Sequence, residues 1–309
     1  MSAAEAKAVA ETEPDPEARR TPDAPTPAGR RELPILTTTH QPPTCAARLV
    51  HDFTPDLIDV GAHHLCPGCG EPIAMRSMVE QVAELGQVTK AIAVFGIGCY
   101  TAYSNNLDIE VLQALHGRAP SLATGVKRCR PDTLVFTVQG DGDMVNEGLQ
   151  EVLHTAARGE NVTCLMLNNG VFGETGGHMT AATVLGQRTK NTLDGRDAAR
   201  HGHPIRLANL IAELDGATYV ARGAVHDIVN ITRTTRMIRN AFRTQLRGGG
   251  FSFVEILTMC PTGWFVDTAD APAYLASTHA ATHTLGVLKD TTHTSGSHAA
   301  PEGTTAWPT

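Results

Sequence analysis

Two short polar motifs carry the clearest chemical signal in this sequence. Gly140-Asp141-Gly142 and Asn168-Asn169 each follow a short apolar run, and 25 residues separate them. A carboxylate and a neutral amide oxygen are ligands that magnesium accepts together with phosphate oxygens. The flanking glycines let the backbone approach a diphosphate closely, because they carry no Cβ. The pair therefore predicts a magnesium-anchored diphosphate site, and the alternative is an ordinary turn followed by an ordinary loop.

Four of the seven cysteines form a second candidate centre. Cys66 and Cys69 make a CxxC motif, Cys99 follows an apolar run, and Cys260 precedes a proline. Four thiolates can hold a [4Fe–4S] cluster, and a cysteine followed by proline is typical of ferredoxin ligand runs. The spacing leaves three alternatives open: a structural zinc site, a thioredoxin-like redox motif, and unrelated buried cysteines. We interpret the other three as structural or incidental, namely Cys45, Cys129 and Cys164.

Both candidate centres lie at the ends of apolar runs that alternate with helical patterns. Four runs have the length and apolarity of strands buried in a parallel sheet: 91–95, 133–138, 162–167 and 251–257. Three segments show apolar residues at helical spacing: 75–82, 149–156 and 228–242. We therefore expect a doubly wound α/β domain with a mostly parallel sheet, which binds ligands at the carboxyl ends of its strands. A helix from about Asn146 would point its N-terminus at the anion.

Composition limits the class of protein and its partners. The 309 residues are 41% hydrophobic and 18% charged, which is ordinary for a globular protein. The formal charge of −7 argues against a nucleic-acid partner, which usually requires a basic surface. We expect no membrane span, since no apolar run approaches about 20 residues, and no signal peptide. Seven cysteines argue for metal or redox use rather than disulfides, and we predict a cytoplasmic location.

The ends of the chain differ in composition from its middle. Residues 1–45 contain 8 of the 18 prolines, and residues 291–309 are rich in Ser, Thr, Gly and His. Segments of this kind bury too little apolar surface to order themselves. We therefore predict a disordered extension over 1–45, one α/β domain with both centres over 46–290, and a disordered tail over 291–309.

The order and identity of the motifs resemble a known family. Gly-Asp-Gly followed after about 25 residues by Asn-Asn is the thiamine-diphosphate signature. From about His63 to Trp264 the chain resembles the β subunit of 2-oxoacid:ferredoxin oxidoreductases, most closely the 2-oxoisovalerate and 2-oxoglutarate types. The motifs that carry this resemblance are 64–70 (HLCPGCG), 96–99 (GIGC), 116–119 (HGRA), 123–127 (ATGVK), 139–143 (QGDGD), 168–169 (NN), 173–177 (GETGG) and 258–262 (TMCPT).

The resemblance implies ligands for both centres and a set of cofactor contacts. Asp141, Asn169 and the Val171 carbonyl would bind Mg²⁺. The four ligands of a [4Fe–4S] cluster would be Cys66, Cys69, Cys99 and Cys260. Thiamine diphosphate would be lined by Ile97, Gly98, Cys99, Tyr100, His116, Gly140, Asp141, Gly142, Asp143, Asn169, Gly173 and Glu174. Without the resemblance, we would interpret His116 as a helix histidine that caps a nearby group.

The resemblance also implies a reaction and partners. The expected activity is CoA-dependent oxidative decarboxylation of a 2-oxoacid to an acyl-CoA and CO2, with electrons passed to ferredoxin. The glutamate that activates thiamine would come from an α subunit, because the sequence contains no second thiamine-binding domain. We therefore expect an obligate α/β complex of α2β2 stoichiometry, in which the single chain is inactive.

Position 176 bears on the choice of substrate. Many 2-oxoglutarate members have a lysine there that can meet the distal carboxylate, whereas this chain has Gly176. An uncompensated buried carboxylate is costly, so an uncharged branched substrate such as 2-oxoisovalerate is favoured. Glu174 disfavours an acidic substrate further, unless His178 or Arg188 neutralises it. The alternative is a 2-oxoglutarate enzyme that makes succinyl-CoA, with Arg188 or Lys190 meeting the carboxylate.

Two alternatives lie outside this reaction. A non-oxidative thiamine enzyme would not need the four cysteines together. A non-catalytic zinc-binding interaction module would bind zinc and no thiamine diphosphate, and its Gly-Asp-Gly and Asn-Asn motifs would be accidental. Iron, sulfide and zinc analysis separates these alternatives from the oxidoreductase.

Overall fold

The four runs predicted as strands form the centre of a seven-stranded sheet. The computed structural model describes Ile58 and residues 63–292, so the predicted extension, Cys45 and most of the predicted tail lie outside the described residues. The strands are β1 (Ala91–Phe95), β2 (Glu110–Gln113), β3 (Leu134–Gly140), β4 (Thr163–Asn168), β5 (Val171–Phe172), β6 (His178–Met179), β7 (Ala217–Ala224), β8 (Phe251–Leu257) and β9 (Gly286–Asp290). Their order across the sheet is β2-β1-β3-β4-β8-β7-β9, and β5 pairs separately with β6.

Helices cover both faces of this sheet. They are α1 (Glu71–Glu84), α2 (Ala119–Cys129), α3 (Leu149–Ala157), α4 (Ala198–His201), α5 (Leu207–Ala212), α6 (Ile228–Leu246), α7 (Pro261–Trp264), α8 (Ala271–Ser277) and α9 (His279–Thr282). Two 3₁₀ segments, Val88–Lys90 and Cys99–Asn106, flank β1, and a π-helical turn spans Gly142–Glu147. No helix in the described part of the chain has the length and apolarity to cross a membrane.

Alternate residues of the central strands pack into two separate cores. Phe136 and Val254 face one core, whereas Val135 and Phe253 face the other. Within the seven-stranded sheet all neighbouring strands are parallel except β9, which runs antiparallel to β7. Covered on both faces, these strands read as continuous apolar runs. The predicted doubly wound, mostly parallel α/β fold is confirmed.

The segment after Gly-Asp-Gly forms two helical pieces and not the single helix from about Asn146 that the sequence predicted. A π-helical turn starts at Gly142, and α3 starts at Leu149 instead of near Asn146. Gly148 lies between the two helical pieces and packs against the backbone of Gly117. A Cβ at position 148 would lie 2.4 Å from the Gly117 carbonyl oxygen, so the contact requires glycine. π-helical turns inside helices are frequent at functional sites.

The sequence also missed three strands of the main sheet. β2 is a short edge strand whose residues are mostly exposed, so it carries little apolar signal. β7 contains Arg222, which interrupts its apolar pattern although its side chain is only 1% exposed. The Arg222 guanidinium pairs with Glu255 of β8 at 2.7 Å. A buried charge of this kind needs a partner, and the partner comes from the adjacent strand.

Candidate functional site

The carboxyl ends of four parallel strands place the sequence motifs along one edge of the sheet. Strand register pairs Phe95 with Val138, Gly140 with Leu167, and Asn168 with Leu257. Segments 96–99, 140–143, 168–171 and 258–260 therefore leave the sheet side by side. This is the edge at which doubly wound folds bind ligands.

Asp141 lies in direct contact with the Asn-Asn motif. Its side chain is buried, its Oδ1 accepts a hydrogen bond from the Asn169 amide at 3.3 Å, and its Oδ2 accepts one from the Thr180 hydroxyl at 2.5 Å. Burial raises the pKa of Asp141 to about 7, although these hydrogen bonds lower it. A buried carboxylate that resists ionisation is stabilised by a nearby cation. The environment of Asp141 therefore fits a divalent metal ion.

Asn169 and Val171 form a tight turn beside Asp141. The Asn169 Oδ1 accepts from the Val171 amide at 3.0 Å, and Gly170 between them has φ +68°. An amide oxygen, a carboxylate and a main-chain carbonyl make an oxygen set that magnesium prefers. The structure thus brings together Asp141 and Asn169 with Val171 in the adjoining turn, and their donor chemistry fits Mg²⁺.

Glu71 is a site residue that sequence reasoning missed. It opens α1, is 2% exposed, and accepts a hydrogen bond from the Asn169 Nδ2 at 3.3 Å. Its Oε2 has no hydrogen-bond partner among the described residues. Burial first, then the charges of Asp141 and Glu174, raise the pKa of Glu71 to about 8. One sequence feature could have identified Glu71: it is an acidic residue that directly follows the CxxC motif and Gly70, where a helix starts.

Asp143 organises the other side of the site. Its Oδ1 lies 2.6 Å from the His116 Nδ1 and accepts from the Gly117 amide at 3.0 Å. Its Oδ2 accepts from the Gln139 amide at 2.7 Å. His116 lies in the turn before α2 rather than inside a helix, and its side chain is 46% exposed. Asp143 therefore orients His116 so that the Nε2 side of the ring remains available.

The residues predicted between Ile97 and Tyr100 divide into two groups. Ile97, Gly98 and Cys99 are half-buried, whereas Tyr100 is 1% exposed. The Tyr100 ring packs against Phe95 and lies beneath the loop that precedes it. Gly140 and Gly142 lie at the end of β3 and the start of the π-helical turn.

Two of the four candidate cluster cysteines, Cys99 and Cys260, lie beside Gly173, and the CxxC turn lies against the segment that follows β8. A Cβ on Gly173 would lie 3.0 Å from the Cys99 Sγ and 3.8 Å from the Cys260 Sγ. The CxxC turn joins them, because the Gly70 amide donates to the Met259 carbonyl at 2.9 Å, next to Cys260. Cys69, Cys99 and Cys260 are half-buried, and the exposed Cys66 is linked to Cys69 by a turn hydrogen bond of 3.0 Å.

The thiols of these cysteines resist ionisation. Burial raises the pKa of Cys260 to about 12 and raises those of Cys69 and Cys99 further, and the Glu71 carboxylate adds to all three shifts. A bound metal supplies the positive charge that would ionise such thiols. The buried thiols therefore fit metal ligation better than free redox chemistry.

The spacing of the thiols bears on which metal group they fit. Within residues 58 and 63–292, no three His, Cys, Asp or Glu side chains lie close enough to hold a single metal ion. A structural zinc ion takes its sulfur ligands at about 2.3 Å, whereas a [4Fe–4S] cluster takes one thiolate on each of four irons.

The turn at 173–177 carries the residues that bear on substrate charge. Glu174 is exposed, and its Oε2 lies 3.7 Å from the His64 Nε2. The two cations proposed to neutralise Glu174 have other contacts: His178 lies 3.1 Å from the Thr175 hydroxyl, and Arg188 donates to the Leu193 carbonyl. On the far side of the turn, a Cβ on Gly176 would lie 3.2 Å from the Lys190 Nζ.

Comparison with known proteins agrees with this geometry. Residues 85–256, more than half of the chain, match the family described as thiamine pyrophosphate enzyme, C-terminal TPP binding domain. A ketoisovalerate oxidoreductase subunit, VorA, of Methanothermobacter thermautotrophicus is 36% identical over 69% of this chain and 45% of its own length. A 2-oxoglutarate synthase subunit, KorB, of Archaeoglobus fulgidus is 33% identical over 68% of this chain and 74% of its own length.

A solved structure shares the fold. The 2-oxoglutarate:ferredoxin oxidoreductase from Magnetococcus marinus, with 2-oxoglutarate, coenzyme A and succinyl-CoA bound, superposes with a TM-score of 0.62 and 27% identity over 76% of this chain and 84% of that chain. The present chain spans less than half the length of the VorA relative. The chain belongs to the thiamine pyrophosphate enzyme family and, within it, to the group of 2-oxoacid oxidoreductase subunits.

Proposed function

We propose that this chain is the thiamine-diphosphate-binding subunit of a 2-oxoacid:ferredoxin oxidoreductase. The reaction is the CoA-dependent oxidative decarboxylation of a 2-oxoacid to an acyl-CoA and CO2, with electrons passed to ferredoxin. One observation carries the proposal: Glu71, which starts α1 two residues after Cys69, accepts a hydrogen bond from the Asn169 side chain, so the CxxC segment adjoins the Asn-Asn turn. An electron-transferring thiamine enzyme needs neighbouring centres of this kind.

The donor sets support two bound groups. Asp141, Asn169 and the Val171 carbonyl would hold Mg²⁺ and, through it, the diphosphate. Cys66, Cys69, Cys99 and Cys260 would hold a [4Fe–4S] cluster. When bound, thiamine diphosphate would supply the electron sink for loss of CO2, and the cluster would supply a one-electron relay.

Residues of this chain orient His116 and exclude water from one side of the site. Asp143 receives a hydrogen bond from the His116 Nδ1–H, which leaves the Nε2 to contact substrate or cofactor. The buried Gln139 and the Gly117 amide fix Asp143 in turn. Tyr100 fills the space beneath the 96–99 loop and excludes water from that side. The activating carboxylate would come from an α subunit.

An α subunit and ferredoxin are the proposed protein partners, in an α2β2 assembly. Three apolar side chains lie uncovered close to the site in sequence: Leu115, next to His116, is 77% exposed, and Leu185 and Leu193 in the loop after Met179 are 46% and 60% exposed. These three residues are the proposed contacts of the α subunit. The free cysteines of the described residues suit a reducing compartment, and we propose a cytoplasmic location.

A branched-chain 2-oxoacid such as 2-oxoisovalerate is the proposed substrate. Gly176 offers no side chain to a distal carboxylate, and Glu174 adds negative charge to the same turn. The second candidate is 2-oxoglutarate, which one observation favours: the Lys190 ammonium lies next to Gly176. Relatives named for both substrates resemble this chain.

The test is an anaerobic assay of the chain co-expressed with its α-type subunit. Viologen reduction with CoA would be followed for 2-oxoisovalerate, 2-oxoglutarate and pyruvate, beside analysis of bound iron, sulfide and zinc. We expect bound iron and a preference for 2-oxoisovalerate. Preference for 2-oxoglutarate would overturn the argument from Gly176 and point to Arg188, Lys190 or the partner subunit as the carboxylate site. Zinc without iron, or full activity of the single chain, would overturn the proposal.

A matched pair of variants tests the metal site itself. Asp141→Asn removes the buried carboxylate and should abolish magnesium-dependent binding of thiamine diphosphate. Asp132→Asn changes an exposed aspartate before β3, at the opposite end of the strand, and should leave binding unchanged. Equal binding by the wild type and Asp141→Asn would remove Asp141 as a ligand.

A further inference from the structure

The carbonyl of Asn169 is held by an indole from a distant part of the chain. The Trp264 Nε1–H donates to the Asn169 oxygen at 2.7 Å, across 95 residues of sequence. Trp264 is 2% exposed, so water does not compete for this bond. The bond fixes the peptide plane between Asn169 and Gly170, and with it the side chain of Asn169 and the path to Val171.

Trp264 is itself held rigidly. It ends α7, whose first turn starts at Cys260, and its amide donates to the Cys260 carbonyl at 3.0 Å. Its ring stacks against Tyr274 of α8 and His279 of α9, with centroid distances of 5.0 and 4.9 Å. Aromatic contacts of this geometry add to the stabilisation from buried area alone. The indole therefore cannot turn away from Asn169 without disturbing two helices.

The same segment also contacts the next residue of the turn. His279 is fully buried, and a Cβ on Gly170 would lie 2.8 Å from the His279 Cε1. From the other side, the Gly170 carbonyl accepts hydrogen bonds from the Thr183 hydroxyl at 2.6 Å and the Gln187 amide at 3.3 Å. The turn that carries Asn169 and Val171 is thus enclosed on both sides.

We propose that residues 261–283, here called the C-terminal clamp, preorganise the turn at 169–171 for Mg²⁺ binding. Trp264 is the positioning residue of this clamp. The turn at 169–171 is called the magnesium turn below. The clamp lies beyond residues 85–256, which match the thiamine pyrophosphate family. The inference rests on the proposed function, because it assigns the turn to Mg²⁺. A ligand set held in its bound geometry spends less of its binding free energy on ordering. Loss of the indole donor therefore weakens metal binding more than cofactor binding.

The test compares two aromatic variants in the cofactor-stripped complex of the full chain with its partner subunit. Trp264→Phe keeps the aromatic stack and removes the donor. Tyr274→Phe alters the same stack without touching Asn169. Isothermal titration with thiamine diphosphate at a series of Mg²⁺ concentrations gives the half-saturating Mg²⁺ and, separately, the cofactor affinity at saturating Mg²⁺.

We expect Trp264→Phe to raise the half-saturating Mg²⁺ roughly tenfold, as loss of one buried hydrogen bond implies. Cofactor affinity at saturating Mg²⁺ should change less than about twofold, and Tyr274→Phe should match the wild type. Unchanged Mg²⁺ dependence in Trp264→Phe, or equal shifts in both variants, would overturn the inference and assign Trp264 a packing role only.

A second variant covers the case in which Trp264→Phe does not fold. His279→Ala opens space beside Gly170 and should raise the half-saturating Mg²⁺ several-fold. Wild-type Mg²⁺ dependence in His279→Ala would count against the clamp. A wild-type complex that binds no thiamine diphosphate at any Mg²⁺ concentration would overturn the proposed function, which distinguishes that failure from failure of the clamp.

Discussion

Glu71 accepts a hydrogen bond from the side-chain amide of Asn169 at 3.3 Å, which ties the start of the helix after the CxxC motif to the Asn-Asn turn. Both side chains are buried, and the second oxygen of Glu71 has no hydrogen-bond partner in the described part of the chain. The contact makes Glu71 sensitive to charge in both candidate centres.

The stability of the cofactor-free protein should fall as pH rises from 7 to 8. The pKa of Glu71 is raised from 4.5 to about 8, so the folded chain holds a proton that the unfolded chain has released. Proton linkage then lowers the unfolding free energy with rising pH. Asp141, with a pKa of about 7, acts with the same sign but mainly at lower pH. Asp141 still holds part of its proton at pH 7, so the variant Glu71→Gln, and not the choice of interval, isolates the contribution of Glu71.

Glu71→Gln should flatten this decline by up to about 1 kcal/mol between pH 7 and 8, measured by urea unfolding at each pH. Glu147→Gln, at an exposed position, should keep the wild-type profile. A decline in Glu71→Gln as steep as in the wild type would show that Glu71 does not titrate in this interval.

Replacement of His116 should reduce turnover more than stability. His116→Gln removes the ring held by Asp143 at 2.6 Å, while Asp143 keeps its bonds to Gly117 and Gln139. We expect kcat/KM of the complex to fall at least roughly a hundredfold, the lower end of the range for a positioned proton-transfer group. His154→Gln, at an exposed position on α3, is the control. Wild-type kinetics in His116→Gln would exclude a role at the reacting atoms.

A methyl group at position 173 should disturb the candidate cluster. The added Cβ in Gly173→Ala would lie 3.0 Å from the Cys99 Sγ, closer than side chains normally pack. We expect the iron content of anaerobically purified complex to fall by roughly half or more, because a close-packed site tolerates little added volume. Gly125→Ala adds the same methyl group on α2, where nothing lies within 4 Å. Full iron content in Gly173→Ala would separate Gly173 from the cluster.

The buried pair of Arg222 and Glu255 should be costly to break from one side. Arg222→Met leaves Glu255 buried with only the Asn168 amide as a strong partner, and we expect a loss of about 3–5 kcal/mol in unfolding free energy. The exposed pair of Arg128 and Glu160 provides the comparison, since Arg128→Met should cost less than about 1 kcal/mol. Urea unfolding measures both, and similar losses would contradict the assignment of Arg222 to a buried network.

The sequence alone predicted the central strands and the motif positions well, for a local reason. The runs at 91–95 and 251–257 coincide with β1 and β8, because strands buried on both faces need apolar residues at every position. Gly-Asp-Gly and Asn-Asn follow such strands, so their meeting at one sheet edge follows from parallel pairing. The sequence by itself therefore indicates that Asp141 and Asn169 lie at the same edge of the sheet.

Tertiary structure decided the contacts that join distant segments. Arg222 interrupts the apolar pattern of β7, so the sequence does not predict this strand. Its charge is tolerated there because it pairs with Glu255, which is 33 residues away in the sequence. Glu71 looks like an ordinary first-turn carboxylate until Asn169, 98 residues on, is placed against it. The sequence around Trp264 indicates only a core residue. Its hydrogen bond to the Asn169 carbonyl is what links it to the turn at 169–171. Local patterns record how deeply a residue is buried, whereas its buried polar partner depends on how the chain packs.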